Sequence, residues 1–288
     1  MNLSGFTNPL SPNGTAGLVE HTPHCISTDC IRVVFRAGDD VARRYLPEPL
    51  EPIGDGLGYA FVADMLKTSV HEPDQPFLNP ARTQYGEGII AFYCRYGDQV
   101  GSFNAFIWVT QDWSMFFGQL MGWPKKMANV QRTRLNPFNP ARQLQAIAPG
   151  SRLSGLVDRY GHRLLEVGIE VEREERPEDL ERTERPPEMQ GEAARPAVYM
   201  LRQFPSVGPD IPEIQQLVSL KLGEVRTGDV FSGKPFLKIG SGDNEDLDLL
   251  RDVDPLRAYV YKQGWITDSK VNLLLDYSAV PESALAGR

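Results

Sequence analysis

The chain has 288 residues, 41% hydrophobic and 24% charged, with a formal net charge of −8 and a pI near 5.2. That is the composition of a soluble globular protein long enough to bury a sizeable core, and its acidic balance without a basic stripe excludes an electrostatic nucleic-acid surface. No uninterrupted apolar run approaches the roughly 18 residues of a membrane span, and Met1–Gly5 lacks the basic and apolar regions of a secretory leader, so a cytoplasmic protein is expected.

Turns are frequent, with 26 glycines and 23 prolines, and most segments between them alternate like strands. Cys30–Phe35 is rich in β-branched residues and predicts a strand. Asp39–Tyr45 follows as a short helix, capped by Asp39 or Asp40 and stopped by Pro47-Glu48-Pro49. Gly58–Met65 is a further strand, and proline-rich Lys67–Thr83 reads as a surface loop. Gly88–Tyr96 and Ser102–Gln111 are strong strands joined by Gly97-Asp98. A short helix starts at Asp112 or Ser114, runs to Leu120 and ends at Gly122. Strand patterns return at Met127–Thr133, Gln143–Ala148, Ser151–Asp158 and Leu164–Glu172. They resume at Ala197–Phe204, Glu213–Leu220, Gly223–Phe231, Leu256–Gln263 and Val271–Asp276. Many short strands with few helices predict an α+β, mainly antiparallel sheet system closed as a barrel or a sandwich.

One domain over residues 1–288 is expected, with residues 1–25 as an N-terminal extension and residues 173–196 as a charged excursion. Glu and Arg dominate that excursion, and a solvated loop is favoured over an acidic metal cluster. Cys25, Cys30 and Cys94 fit no metal spacing, and an odd, sparse count suits a reducing compartment. His21 and His24 beside Cys25 lack an evident fourth ligand, so a surface loop is favoured over a metal site.

Chemistry concentrates at Met115-Phe-Phe-Gly-Gln-Leu-Met-Gly-Trp-Pro-Lys-Lys-Met-Ala128, an almost uncharged run ending in two lysines. Burial lowers the proton affinity of an amine, and a nearby cation pushes the same way. The neutral amine is the form that attacks a ketone to make a Schiff base. Pro124 biases Trp123 toward an extended backbone. If the extension continues, Lys125 and Lys126 point to opposite faces and one of them enters a cavity. Phe116, Phe117, Leu120, Met121 and Trp123 would wall it.

Gly122-Trp-Pro-Lys-Lys-Met-Ala128 resembles the active-site motif of the acetoacetate decarboxylases. The likeness continues through Val34-Phe-Arg36, Leu46-Pro-Glu-Pro-Leu50, Tyr85-Gly-Glu87, Val198-Tyr-Met-Leu-Arg202 and Phe204-Pro205, spanning most of residues 30–276. It implies a closed, cone-like β-barrel with peripheral helices, a cofactor-free and metal-free site, and a homo-oligomer. By that resemblance Lys125 is the Schiff-base nucleophile, Lys126 its neighbouring cation and Glu87 a proton-managing carboxylate. Two positions depart from the pattern. Thr28 stands where the family carries an arginine for the substrate carboxylate, and Phe61 stands where it carries a second glutamate.

An iminium without the full decarboxylation set still supports aldol addition, dehydration and ring closure, the reactions thought to belong to divergent relatives acting on pyruvate-like oxo acids. The expected partner is therefore a small oxo acid or β-keto compound. Tyr259, Tyr261 and Gln263 fall on one strand face at period two, with Tyr261 the leading proton relay or else a cap on the sheet end. Gln119 reaches a substrate or caps a turn. Arg82 and Tyr85 bind a carboxylate or lie on the surface. The alternatives are a genuine β-keto acid decarboxylase and a non-catalytic barrel that binds an apolar small molecule or a reactive carbonyl.

Overall fold

The computed structural model describes residues 2–178, 180, 197–206 and 212–279. The chain opens with β1 (His24–Arg36), α1 (Asp39–Arg43), β2 (Glu51–Pro52), β3 (Leu57–Ser69) and α2 (Gln75–Leu78). It continues through β4 (Gln84–Tyr96), β5 (Gln99–Val109), α3 (Asp112–Met121), β6 (Lys125–Met127) and β7 (Asn129–Arg132). Then come β8 (Arg152–Arg159), β9 (His162–Glu175), β10 (Ala197–Pro205) and β11 (Pro212–Leu220). The last strands are β12 (Val225–Ile239), β13 (Asp254–Thr267) and β14 (Asn272–Asp276).

Hydrogen bonds join the strands in the order β14-β11-β10-β5-β4-β3-β1-β13-β12-β9-β8-β7, with β2 on β4 and β6 on β5. Among the described residues only β5–β10 and β5–β6 are parallel; the mainly antiparallel α+β expectation agrees. Among the described residues no ladder joins β14 to β7. The closed barrel is therefore corrected to a sheet that is not closed by hydrogen bonds. Its β8 end packs face-on against β3 instead: a Cβ on Gly155 would sit 2.5 Å from Val62 Cβ, and one on Gly88 would collide with Val157. Missing side chains at these glycines let the layers approach, so apolar burial rather than edge pairing joins them.

Alternation on β1 divides two interiors. Ile31, Val33 and Phe35 enter one apolar cluster with Trp108, Val157 and Leu165. Cys30 and Val34 enter another with Tyr59, Tyr85, Ile107 and Tyr261. Successive side chains on a strand point to opposite faces, so the first cluster lies between layers and the second surrounds the candidate site.

Several boundaries differ from expectation. The loop predicted for Lys67–Thr83 begins as the last turn of pairing in β3 and then forms α2. Met127–Thr133 splits into β6 and β7 at Ala128. Gln143–Ala148 is not a strand. Arg142–Leu144 is a 3-10 turn, and Gln145 Nε2 donates to Asn139 O at 2.7 Å, so local bonds replace a ladder in this proline-flanked stretch. Within the charged excursion β9 runs to Glu175; residues 179 and 181–196 lie outside the described residues. No described helix is long and apolar enough to cross a membrane.

Candidate active site

Helix α3 and strand β6 present the lysine pair. Gly122 ends α3 in the left-handed region at φ 108, where glycine has no Cβ penalty. The N–H groups of Gly122 and Trp123 return to Gly118 O at 3.0 and 2.9 Å. Past Pro124 the chain is extended and lies parallel to β5, with Lys125 opposite Ile107. Gln119 Nε2 donates to Lys125 O at 3.0 Å and ties the helix to the strand.

This backbone buries Lys125, which is 6% exposed. Its Nζ lies 2.6 Å from Glu87 Oε2 and 3.1 Å from Ser114 Oγ. The ring centres of Tyr85 and Trp123 are each 5.4 Å from the amine. A Cβ at Gly118 would overlap the Lys125 stem, so the helix leaves room for this side chain. Burial, and then the Glu87 charge, hold the Tyr85 hydroxyl well above its ordinary pKa.

Lys125 and Glu87 face a cavity of about 170 Å³. Thr28, Phe61, Trp123, Tyr261 and Gln263 also line it. Arg32 enters from β1, its guanidinium 4.3 Å from the Tyr59 ring centre and 5.4 Å from Tyr261. A cross-strand row connects Arg32 to Phe61, Ile89, Ile107 and Lys125, so both cations belong to one level of the sheet. Tyr59 adds a hydroxyl donating to Asn104 Oδ1 at 3.3 Å.

The structure thus brings together Lys125, Glu87, Trp123 and Tyr261, and places Thr28 and Phe61 on the same cavity wall. Lys126 turns elsewhere: Nζ donates to Asn244 O at 2.6 Å and lies 3.0 Å from Glu245 Oε2. Opposite pointing along a strand separates the two lysines, and the expected neighbouring cation does not line the cavity. Gln119 lines an outer groove with Trp123 and serves the Lys125 carbonyl. Tyr259 is fully buried and is not among the residues that line the cavity. Tyr85 lines the cavity rather than the surface, whereas Arg82 pairs with Glu20.

The N-terminal residues are more than an extension. His24 is fully buried at the start of β1, not in a surface loop, and its Nε2 is 3.1 Å from Glu20 O. Burial first, and then Lys67, pull its pKa down to about 4. Among the described residues no group of three His, Cys, Asp or Glu side chains could hold a metal. Ser114, Arg32 and Lys67 escaped the sequence reading as functional groups. Period-two extension of β1 and β3 is the signal that points Arg32 and Lys67 inward.

Comparisons with known proteins agree with this architecture. No curated protein matches the chain. An acetoacetate decarboxylase-like enzyme from Sphingomonas wittichii RW1 is 30% identical, with a TM-score of 0.83 over 95% of this chain and 100% of that one. The enduracididine biosynthesis enzyme MppR, in complex with the condensation product of pyruvate and imidazole 4-carboxaldehyde, is 26% identical, with a TM-score of 0.80 over 96% and 98%. Acetoacetate decarboxylase from Legionella pneumophila, 14% identical with a TM-score of 0.72 over 97% and 99%, shares the fold. The family profile described as acetoacetate decarboxylase (ADC) matches residues 7–275, and the chain belongs to that family.

Proposed function

We propose that the protein is a Schiff-base lyase that uses Lys125 on a small oxo acid and carries the enamine toward aldol addition, dehydration or cyclisation. The observation that carries this reading is the buried Lys125 amine, 2.6 Å from Glu87, facing a small cavity walled by Trp123 and Tyr85. A proton passing from the ammonium to Glu87 frees the amine lone pair. Attack on the ketone carbon forms the C–N bond, and Glu87 returns its proton to the departing hydroxyl, so that water leaves, the iminium forms and Glu87 is again a carboxylate. A carboxylate at Glu87's position takes a proton from the neighbouring carbon, leaving an enamine. The enamine carbon attacks an aldehyde, a relay hydroxyl such as Tyr261 passes the proton held by Glu87 to the new alkoxide, and water leaves if dehydration follows. Hydrolysis returns the amine. The chemistry asks for no cofactor.

Two features favour this outcome over decarboxylation. Thr28 and Phe61 line the cavity at the positions where the resemblance puts the decarboxylases' arginine and second glutamate. The relative at 26% identity holds a condensation product of pyruvate. Arg32 supplies a cation to a cavity suited to a small acid.

The test is borohydride reduction with pyruvate or acetoacetate, read by peptide mass spectrometry. The expected result is a reduced adduct on Lys125 and little carbon dioxide from acetoacetate. Folded protein giving no Lys125 adduct across a panel of small oxo acids overturns the imine. Rapid, Lys125-dependent carbon dioxide release makes the protein a decarboxylase instead.

A further inference from the structure

Helix α3 brings a hydroxyl, as well as room, to the candidate nucleophile. Ser114 lies in its first turn, four residues before Gly118, and residues at that spacing share one face of a helix. Gly118 leaves space for the Lys125 stem, and Ser114 Oγ meets the head of that side chain 3.1 Å from Nζ. Ser114 is 4% exposed, so bulk water does not compete for this contact.

Tyr85 approaches the same amine from β4. Its ring centre is 5.4 Å from Nζ, and Trp113 packs against it edge-on at 5.1 Å. Tyr85 and Glu87 alternate onto one face of the strand, and both line the cavity. The Ser114 hydroxyl faces the Tyr85 hydroxyl too, acting against the rise that burial and Glu87 impose on the phenol. A neighbouring hydroxyl has that effect by donating to the phenol oxygen. Serine carries one donor and two acceptor sites. With its proton turned to Tyr85 and a lone pair turned to the amine, the direction of the chain is set: Lys125 N–H to Ser114, then Ser114 O–H to Tyr85. The Tyr85 O–H is left for an acceptor in the cavity.

We propose, resting on the imine reading above, that Ser114 and Tyr85 are catalytic residues forming a hydroxyl relay from Lys125 to the ketone oxygen of the oxo acid. When the nitrogen lone pair forms the C–N bond, the carbonyl π pair withdraws onto oxygen. Nitrogen then holds one proton too many and oxygen one too few. The relay closes that gap: the nitrogen proton passes to Ser114, the Ser114 proton to Tyr85, and the Tyr85 proton to the alkoxide. A neutral carbinolamine results, and both hydroxyls end as they began. Before the transfer, the Tyr85 O–H already stabilises the charge growing on oxygen, and a preorganised donor needs no rearrangement to do so. A phenol held well above its ordinary pKa gives up its proton only as it gains another, which is what a relay requires. Tyr85 serves the attack, and the proton on Glu87 serves the departure of water.

The experiment is the initial rate of pyruvate trapping on Lys125 with borohydride in excess, read by peptide mass spectrometry across pyruvate concentrations. Tyr85→Phe keeps the ring that packs on Trp113 and lowers the maximal rate roughly 10²-fold, the usual cost of losing one donor to a developing oxyanion. The half-saturating pyruvate concentration stays in place. Ser114→Ala lowers the maximal rate about tenfold, and Ser114→Thr, which keeps the hydroxyl, restores most of it. Methylation of Lys125 by methyl iodide separates a lost relay from a displaced amine, because that attack builds no charge on oxygen. Tyr85→Phe therefore methylates at the wild-type rate. Trapping at the wild-type rate in Tyr85→Phe, or methylation that falls along with trapping, overturns the relay. If Tyr85→Phe does not fold, equal trapping rates in Ser114→Ala and Ser114→Thr overturn it instead. A wild type that gives no adduct with any oxo acid removes the imine reading and the relay together, whereas a wild type that traps no faster than its variants removes the relay alone.

Discussion

Lys125 on β6 and Glu87 on β4 reach across the intervening β5 to place Nζ and Oε2 2.6 Å apart. Both side chains are less than a tenth exposed. A buried pair of this kind repays its desolvation poorly, and an apolar pair of equal volume is often as stable. Its consequence is chemical: the carboxylate lies within hydrogen-bond reach of the amine, the arrangement that the proposed proton exchange needs.

Glu87→Gln separates those roles. The amide keeps the volume and gives up the charge that favours the ammonium, so the amine loses its proton to water instead and borohydride still traps an oxo acid on Lys125. Exchange of the C3 protons of pyruvate with deuterated solvent falls about 10²- to 10⁴-fold, the usual contribution of a positioned base. Proton NMR of pyruvate in deuterium oxide measures it. Exchange that persists at the wild-type rate removes Glu87 from the proton path.

Gly118→Ala has a sign that helix propensity gets wrong. In an exposed helix interior the change stabilises by about 1 kcal/mol. Here the added methyl overlaps the Lys125 stem, and overpacking costs roughly 1–3 kcal/mol. Urea unfolding should show a lower midpoint, together with slower trapping at Lys125. A stabilised variant would mean that the lysine stem has another place to go.

Much of this site was legible in the chain because its signals are local. Gly122 closing α3, Pro124 forcing extension and two lysines pointing apart follow from backbone rules over a few residues. Long-range pairing was not legible: that Glu87 meets Lys125 depends on two ladders at defined register, and only the family likeness suggested it. Lys126 was assigned as the neighbouring cation by the family likeness alone, whereas strand alternation over the same residues already pointed the two lysines to opposite faces. Lys67 was assigned to a loop because prolines follow it, although β3 carries its alternation through Ser69. The open sheet differs from the expected barrel because strand counting cannot tell an edge sealed by side chains from one sealed by hydrogen bonds.

Lys126→Met tests the division of labour between the lysines. Glu245 has a side chain 1% exposed and is held by Lys126 at 3.0 Å and Arg159 at 3.3 Å. Losing one of these partners costs about 1–3 kcal/mol of stability, visible in thermal or denaturant unfolding. The extent of oxo-acid trapping on Lys125 should be unchanged in the folded variant. A large loss of trapping at full stability would return Lys126 to the active site.

His24 and Lys67 together give stability a two-step dependence on pH. Each has a folded pKa below its unfolded one, about 4 against 6.5 for His24 and about 8 against 10.5 for Lys67. In both windows the unfolded chain binds more protons, so stability rises with pH. His24's contribution is complete above about pH 6.5 and is lost as pH falls toward 4. That of Lys67 appears only as pH climbs from about 8 to 10.5. Each amounts to about 3 kcal/mol at most. Urea titrations at a series of pH values read the slope, and the informative quantity is wild type minus variant. His24→Gln should flatten the acidic step and leave the alkaline one, whereas Lys67→Met should flatten the alkaline step and also shrink the acidic one, because Lys67 is the second cause of the His24 shift. A difference that stays constant across its window would show that the side chain titrates alike in the folded and unfolded chain.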